Sequence, residues 1–267
     1  MRASLIQIAV DPDEPVHTRR ARAARLVQAE SGHADLVVLP ELWPVGAFAA
    51  DSFAAEAEPL RGPTYEAMSA AARDAEVWLH AGSFVEAAGG SLYNTSLVFS
   101  PDGELAASYR KIHRFGFDEG EAVLMAAGED LVTFDLPHLT AGVATCYDLR
   151  FPELFRGLVD AGAQAFVVPA GWPARRLAHW TLLARARAVE NQAYVLACGT
   201  AGTHAGVEQA GHSTVVDPWG EVLAEAGPGE ETLRAVLDPK KVATTREQFP
   251  ALKDRVLGVS APRRTGA

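Results

Sequence analysis

The sequence predicts an α/β protein with mixed β-sheets. Short apolar runs alternate with segments of helical spacing, which is typical of parallel strands joined by helices. Two later groups of strands are separated only by turn residues, which indicates antiparallel pairing. The chain has 267 residues, of which 48% are hydrophobic and 22% charged, so it can bury a large core. No linker composition divides it, and we expect one domain over residues 1–267 with a mobile tail from about residue 256.

The first strand, helix and strand unit occupies the N-terminal forty residues. An apolar run in residues 1–10 predicts a strand, and residues 18–29 have helical spacing with Thr18 as a candidate N-cap. Residues 36–39 are continuously apolar, as expected for a strand covered on both faces. We expect a right-handed crossover between the two strands. Glu41 follows the second strand directly.

A helix and three strands follow. Residues 63–73 predict the helix, and the strands are expected at 77–84, 93–99 and 105–109. Pro101-Asp102-Gly103 is a turn signal, so the strands on either side of it should pair antiparallel. Lys111 comes just after the last of these strands, at the start of a glycine-rich and charged stretch that predicts a loop over residues 110–128.

Cys146 follows the apolar run of residues 139–145, which predicts a buried strand. The next helix is expected over residues 151–161, because Pro152 and Glu153 suit a first helical turn. A thiol at such a corner is held by a rigid strand and lies near free backbone N–H groups, as a nucleophile requires. A small buried cysteine without a catalytic role is the alternative interpretation. Asp148 and Arg150 are expected to face each other and stabilise the corner.

The last third continues the alternation. We expect a strand at 165–169, a long helix at 177–191 and a strand at 193–198, followed by antiparallel strands near 213–217, 221–225 and 232–237. Trp172 lies just beyond the first of these strands.

Composition excludes several functional classes. A net charge of −10 without a basic run argues against nucleic-acid binding, and the arginines of residues 19–25 are expected on a solvated helix face. Cys146 and Cys198 are too few for a disulfide framework and suggest reduced thiols. The N-terminal run is too short for a signal peptide and no segment is long enough to span a bilayer, so a cytoplasmic location is expected. The sequence has neither metal-ligand spacing nor a phosphate-binding glycine loop, so we expect no metal and no organic cofactor.

Glu41, Lys111 and Cys146, each at the edge of a strand and in this order, resemble the nitrilase or carbon–nitrogen hydrolase superfamily. The resemblance extends from the first strand to Val236. It implies an αββα sandwich with mixed β-sheets, a Glu-Lys-Cys catalytic triad and at least a homodimer. It also implies a second active-site glutamate in the loop after Lys111, for which Glu121 matches by spacing and Glu119 is the competing candidate.

The chemistry implied by this resemblance is amide hydrolysis through a thioester. Glu41 would act as general base, Lys111 and the backbone N–H of Tyr147 would stabilise the oxyanion, and Cys146 would carry the acyl group. Ammonia and a carboxylic acid would be the products.

The sequence around Cys146 resembles the small-amidase branch, which contains ω-amidases and deaminated-glutathione amidases. A small linear amide carrying a carboxylate is therefore the expected substrate. Trp172 would form a wall of the acyl pocket, and Arg175, with Arg150 and Arg176 as alternatives, would bind the carboxylate because guanidinium suits a planar anion. An N-carbamoyl amino acid hydrolase is the alternative; a nitrile hydrolase and a non-enzymatic thiol protein are further possibilities.

Overall fold

The computed structural model describes residues 1–256, within which the chain forms fourteen strands and six α-helices. The strands are β1 (Arg2–Gln7), β2 (Leu36–Val38), β3 (Trp78–Ala88), β4 (Ser91–Phe99), β5 (Leu105–Arg110), β6 (Thr133–Leu136), β7 (Leu139–Val143), β8 (Ala165–Ala170), β9 (Tyr194–Gly199), β10 (Thr203–His204), β11 (Val207–Glu208), β12 (Thr214–Val216), β13 (Val222–Glu225) and β14 (Glu231–Val236). The helices are α1 (Val16–Gln28), α2 (Pro63–Ala75), α3 (Glu121–Leu124), α4 (Pro152–Asp160), α5 (Leu177–Asn191) and α6 (Pro239–Gln248). Short 3₁₀ helices lie at Ala50–Ser52, Cys146–Arg150 and Ala174–Arg176.

Most strands belong to two six-stranded sheets. The first sheet has the order β14-β1-β2-β3-β4-β5, in which β1, β2 and β3 are parallel and the other neighbours antiparallel. The second sheet has the order β13-β12-β9-β8-β7-β6, in which β7, β8 and β9 are parallel. The predicted mixed sheets are thus confirmed. Strands β10 and β11 form a separate hairpin.

Apolar residues alternate along the parallel strands and face two different cores. In β2, Leu36 and Val38 pack into a middle core between the sheets, whereas Val37 faces α1 and α2. In β8, Val167 lies in the middle core and Phe166 packs under α4 and α5. Because side chains alternate with period two, a strand buried on both faces must be apolar throughout. The layers are therefore helix, sheet, sheet and helix, which confirms the αββα sandwich.

The structure contains elements that the sequence analysis missed. Strand β6, the hairpin β10–β11 and helix α6 were not predicted. Of the ten residues of α6, only Val242 and Thr245 are buried, so the sequence has no apolar stripe that would predict this helix. Helix α1 begins at Val16 after Pro15, so Thr18 lies inside the helix and is not its N-cap.

One expectation for the basic residues of α1 was wrong. Arg19 is only 2% exposed, and its guanidinium donates to the Glu14 carboxylate at 3.2 Å and to the carbonyl oxygen of Pro44 at 2.6 Å. The hydrogen bonds to carbonyl groups of neighbouring loops explain why this side chain is buried.

Two further expectations concern the chain ends and membranes. The mobile tail predicted from about residue 256 lies outside the described residues. No helix within residues 1–256 is long and apolar enough to cross a bilayer.

Candidate active site

Glu41 lies at a tight corner just beyond β2. The next residue, Leu42, has a φ of +42°, and its N–H donates to the Ser83 hydroxyl at 2.9 Å. Gly82 leaves the space that this corner needs, because a Cβ atom there would lie 2.0 Å from the carbonyl oxygen of Pro40. Close backbone packing between β3 and the end of β2 therefore places the Glu41 carboxylate, which is 2% exposed.

Lys111 follows β5 at the edge of the first sheet. Its N–H donates to the carbonyl oxygen of Asn94 on β4, and its carbonyl oxygen accepts from the N–H of Gly128, both at 2.9 Å. The Lys111 side chain is 1% exposed, which excludes a solvated surface pair with Glu41.

Cys146 lies beyond β7 in the second sheet. Its φ is +48°, a conformation that costs a residue other than glycine of order 1–3 kcal/mol and often marks functional sites. The 3₁₀ helix Cys146–Arg150 forms the corner that the sequence predicted between the strand and α4. Cys146 is 7% exposed, and its Sγ lies 4.0 Å from the carbonyl oxygen of Gly171.

Lys111 joins two carboxylates. Its Nζ lies 2.7 Å from Glu41 Oε1 and 2.7 Å from Glu121 Oε2. The Asn94 Nδ2 donates to both glutamates as well, at 2.9 Å each, and the Gly171 N–H donates to Glu41 Oε2 at 2.8 Å. The structure therefore brings together the predicted glutamate, lysine and cysteine from three distant segments.

Sequence reasoning missed Asn94 as a member of this network. The signal that could have found it is the polar run Asn94-Thr95-Ser96 within β4, on the strand that pairs with the one ending before Lys111. Its Oδ1 has no hydrogen-bond partner among the described residues, although the atom is buried.

Glu121 and Glu119 have different surroundings. Glu121 opens the short helix α3, is 6% exposed and accepts from Lys111 and from the Phe115 N–H at 2.8 Å. Glu119 is exposed at the rim of the same cavity. Of the two candidates, the structure thus places Glu121 in contact with Lys111.

Burial and charge shift the pKa values of these groups. Burial raises the pKa of the Cys146 thiol well above its usual value, Glu41 raises it further, and Lys111 offsets only part of this. Burial acts to lower the pKa of Lys111, but Glu121 and Glu41 outweigh it and the net shift is upward. Burial raises the pKa of Glu121, which Lys111 partly offsets. At neutral pH the resting site therefore holds a protonated thiol beside an ammonium group.

A cavity of about 540 Å³ opens onto the thiol. Glu41, Lys111, Cys146 and Glu121 lie in its wall, so the nucleophile is not sealed in apolar packing. The residues predicted to bind substrate also line it, together with two further arginines: Tyr147, Trp172, Arg175, Arg150 and Arg176. Within residues 1–256, no group of three or more His, Cys, Asp or Glu could hold a metal ion.

Arg150, Arg175 and Arg176 form an arginine cluster at the mouth of the cavity. Among the described residues, none of the three forms an ion pair with Asp or Glu. Arg150 lies 4.9 Å over the Trp172 ring, and burial and the two neighbouring arginines lower the pKa of Arg176. Three unpaired guanidinium groups in a chain of net charge −10 indicate affinity for an anion.

The expected contact between Asp148 and Arg150 was wrong. The Asp148 carboxylate points away from the cavity and accepts from Tyr109, His113 and the Thr145 N–H. Arg150 contacts His179 Nδ1 at 3.2 Å. The backbone of the 3₁₀ helix turns the two side chains in different directions.

Comparison with known proteins supports a common family. The model of the carbon-nitrogen hydrolase family matches residues 2–247. The 2-oxoglutaramate amidase of Paenarthrobacter nicotinovorans is 44% identical over 258 residues, which cover 94% of this chain and 87% of the relative. The omega-amidase NIT2 of Mus musculus is 38% identical over 262 residues, which cover 95% of this chain and 94% of the relative. The structure of Saccharomyces cerevisiae Nit3, a member of branch 10 of the nitrilase superfamily, superimposes with a TM-score of 0.86 at 33% identity and covers 99% of this chain and 96% of Nit3.

Proposed function

Since the chain belongs to the carbon–nitrogen hydrolase family, we propose that Cys146, Glu41 and Lys111 are the catalytic groups with which it hydrolyses the amide of a small 2-oxo dicarboxylate. The chain is an amidase that acts on carbon–nitrogen bonds other than peptide bonds and uses a cysteine nucleophile. The observation that carries the residue roles is the convergence of carboxylate, ammonium and thiol on one cavity.

Acylation begins with a protonated thiol. Glu41 takes the thiol proton while the sulfur attacks the amide carbonyl carbon, so a free thiolate need not accumulate. The oxygen of the tetrahedral intermediate receives hydrogen bonds from Lys111 Nζ and the Tyr147 N–H. Glu41 then returns the proton to the leaving nitrogen, the carbon–nitrogen bond breaks, and ammonia leaves a thioester on Cys146.

Deacylation repeats the same proton path with water. Glu41 takes a proton from water while the water oxygen attacks the thioester carbonyl carbon. Lys111 Nζ and the Tyr147 N–H again stabilise the oxyanion. The carbon–sulfur bond then breaks, the sulfur recovers the proton from Glu41, and the carboxylic acid is released. Glu121 holds Lys111 throughout as a second carboxylate partner, because its Oε2 lies 2.7 Å from Nζ.

The arginine cluster supports a carboxylate on the substrate. Arg176 and Arg150 are partly buried at the cavity mouth, whereas Arg175 is exposed. A carboxylate that enters between Arg150 and Arg176 would relieve the repulsion between them, and Trp172 under Arg150 would bound the space for the acyl chain. Two relatives, from Paenarthrobacter nicotinovorans and Bacillus subtilis, are both named 2-oxoglutaramate amidase.

An ammonia-release assay tests this function. We expect the purified protein to release ammonia from 2-oxoglutaramate far faster than from the uncharged amide of equal length, and the Cys146→Ala variant to release none. A set of N-carbamoyl amino acids tests the alternative, because a ureide would yield carbon dioxide together with ammonia. Preference for the uncharged amide would contradict a role of the arginine cluster in binding.

Three properties remain predictions from the sequence. A homodimer or larger homo-oligomer, a cytoplasmic location and a single domain over the whole chain are compatible with the family. Light scattering of the purified protein tests the first, and a single cooperative unfolding transition is expected for the third.

A further inference from the structure

Asp148 joins the segment that carries Cys146 to the segment that carries Lys111. The residue lies two positions after the thiol, is fully buried and does not line the cavity. All hydrogen bonds to its carboxylate come from residues within two positions of Lys111 or Cys146. We propose that Asp148 is a positioning residue that sets the distance between the Lys111 ammonium and the Cys146 sulfur, an inference that rests on the function proposed above.

The first set of contacts holds the nucleophile corner. Asp148 Oδ2 accepts from the N–H of Thr145 at 2.8 Å, and the Asp148 N–H donates back to the carbonyl oxygen of Thr145 at 3.0 Å. The Thr145 side chain also accepts from the Asp148 N–H, which together with the bond from the Thr145 N–H to the Asp148 carboxylate forms a capping box around the first turn of the 3₁₀ helix. It holds Cys146 in its left-handed conformation, because the residues on both sides of it are fixed.

The second set holds the lysine. Asp148 Oδ2 accepts from the Tyr109 hydroxyl at 2.7 Å, and Oδ1 accepts from the N–H of His113 at 3.0 Å. The His113 ring also contacts the carboxylate, with Nδ1 2.8 Å from Oδ1. Tyr109 and His113 stand two residues on either side of Lys111, so one carboxylate fixes the chain before and after the ammonium group.

The contacts cross from one sheet to the other. Tyr109 belongs to β5 in the first sheet, whereas Asp148 follows β7 in the second. The Tyr109 hydroxyl also accepts from the Ile112 N–H at 3.2 Å, and the His113 ring stacks on Phe151 with centroids 3.7 Å apart. A shift between the sheets would therefore break several buried hydrogen bonds at once.

Three donors and the contact with the His113 ring make a carboxylate necessary at this position. An asparagine has one acceptor oxygen, and in either orientation its NH₂ group would face the backbone N–H of Thr145 or of His113. One buried backbone donor would then lack a partner, and the corner would have to move. Charge is involved as well, because burial and the Asp148 carboxylate both raise the pKa of Tyr109 and keep its hydroxyl a donor.

The experiment compares Asp148→Asn with Glu30→Gln. Glu30 is a matched control, since it is another buried carboxylate, with bonds to Ser4 and Arg234, and lies outside the cavity wall. For Asp148→Asn we expect kcat to fall by about 10²-fold with KM changed less than about threefold, because displacement of a reacting group by about 1 Å costs this much. Alkylation of Cys146 by iodoacetamide should slow by about tenfold or more for the same reason. Glu30→Gln should lose thermal stability while both rates stay near those of the wild type.

Three outcomes would overturn the proposal. Folded Asp148→Asn protein with wild-type kcat and alkylation rate would do so, as would an equal loss of both rates in Glu30→Gln. If Asp148→Asn does not fold, Tyr109→Phe decides: it removes the hydroxyl contacts to Asp148 and Ile112 but leaves the bonds from Thr145 and His113 to the carboxylate, and a kcat equal to that of the wild type would contradict the proposal. Turnover by Cys146→Ala would instead contradict the proposed function, while the alkylation rates, which need no turnover, would still test the role of Asp148.

Discussion

The two sheets have the same pattern of parallel and antiparallel pairing but supply different parts of the candidate site. Read from β14 in the first sheet and from β6 in the second, neighbouring strands pair as antiparallel, parallel, parallel, antiparallel and antiparallel in both. The first sheet supplies Glu41 after β2, Asn94 on β4 and Lys111 after β5. The second supplies Cys146 after β7 and the Gly171 N–H after β8.

This difference shows how a repeated architecture becomes one site. The charged groups that we propose to move protons and bind the oxyanion follow strands of one sheet, and the sulfur follows a strand of the other. Their geometry therefore depends on the contact between the sheets, which the apolar middle core makes rigid. Both corners contain a residue with a strained, left-handed backbone, Leu42 after Glu41 and Cys146 itself. Each sheet therefore carries backbone strain at the site.

The largest expected effect comes from the second sheet, at its sulfur. Cys146→Ala should lower ammonia release by at least about 10³-fold without unfolding, because the acyl group has no acceptor. Cys198→Ala is the control: this thiol is buried in the middle core near the carbonyl oxygens of Ile6 and Val38. It should cost about 1 kcal/mol of unfolding free energy and leave kcat unchanged. Steady-state kinetics measure kcat for the two variants, and urea unfolding measures their unfolding free energies.

Lys111 tests the contribution of the first sheet. Lys111→Met should reduce kcat by about 10²–10³-fold, the effect of losing one oxyanion donor. It should also lower the unfolding free energy by about 3–5 kcal/mol, because Glu41 and Glu121 would be buried without their cation. Adding Glu121→Gln should restore part of the stability and none of the activity, which separates the two roles. The exposed Lys253→Met variant serves as control, and a Lys111→Met enzyme with normal kcat would contradict the assignment.

Gly82 tests the corner that carries Glu41. In Gly82→Ala the added Cβ would lie 2.0 Å from the Pro40 carbonyl oxygen, so the Glu41 segment must shift and kcat should fall by about tenfold or more. Gly89→Ala is the matched control, since Gly89 has a positive φ of similar size, +59° against +64°, but open space at its Cβ. It should lose about 1–2 kcal/mol of stability at most and keep its kcat. Equal kinetic losses in both variants would mean that backbone strain alone, and not the clash, is responsible.

The smallest expected effect is a difference in acid sensitivity. Burial lowers the pKa of His80 on β3 to about 3, and that of His204 in the β10–β11 hairpin to about 4. Each histidine stays neutral in the folded chain while its unfolded form takes up a proton near pH 6.5. Their stabilisation is therefore complete above pH 6.5 and is lost as the pH falls towards 4 and 3, by up to about 1.4 kcal/mol per pH unit for each residue. In urea unfolding at several pH values, the unfolding free energy of His80→Gln should fall less steeply with falling pH than that of the wild type. An unchanged slope would show that His80 is not a source of the acid sensitivity.

The sequence by itself indicated strands covered on both faces, and its resemblance to a known family implied the αββα layers and the candidate triad. Continuous apolarity in β2 and β8 required sheets covered on both faces, and this pattern is local enough to be recognised without coordinates. Glu41 and Cys146 follow apolar strands, and Lys111 follows a strand indicated by the turn at residues 101–103, so their placement at strand ends could be predicted from their neighbours.

Only the tertiary structure decided which further polar groups contact these three. The roles of Asn94, Asp148 and the arginine cluster depend on contacts between residues far apart in the chain, and no spacing in the sequence encodes such a contact. Burial had to be seen as well, since Arg19 and Glu121 look like surface residues until packing encloses them. The physical reason is that local patterns reflect the chain's own periodicity, whereas a hydrogen bond between two sheets exists only after their apolar faces have packed together.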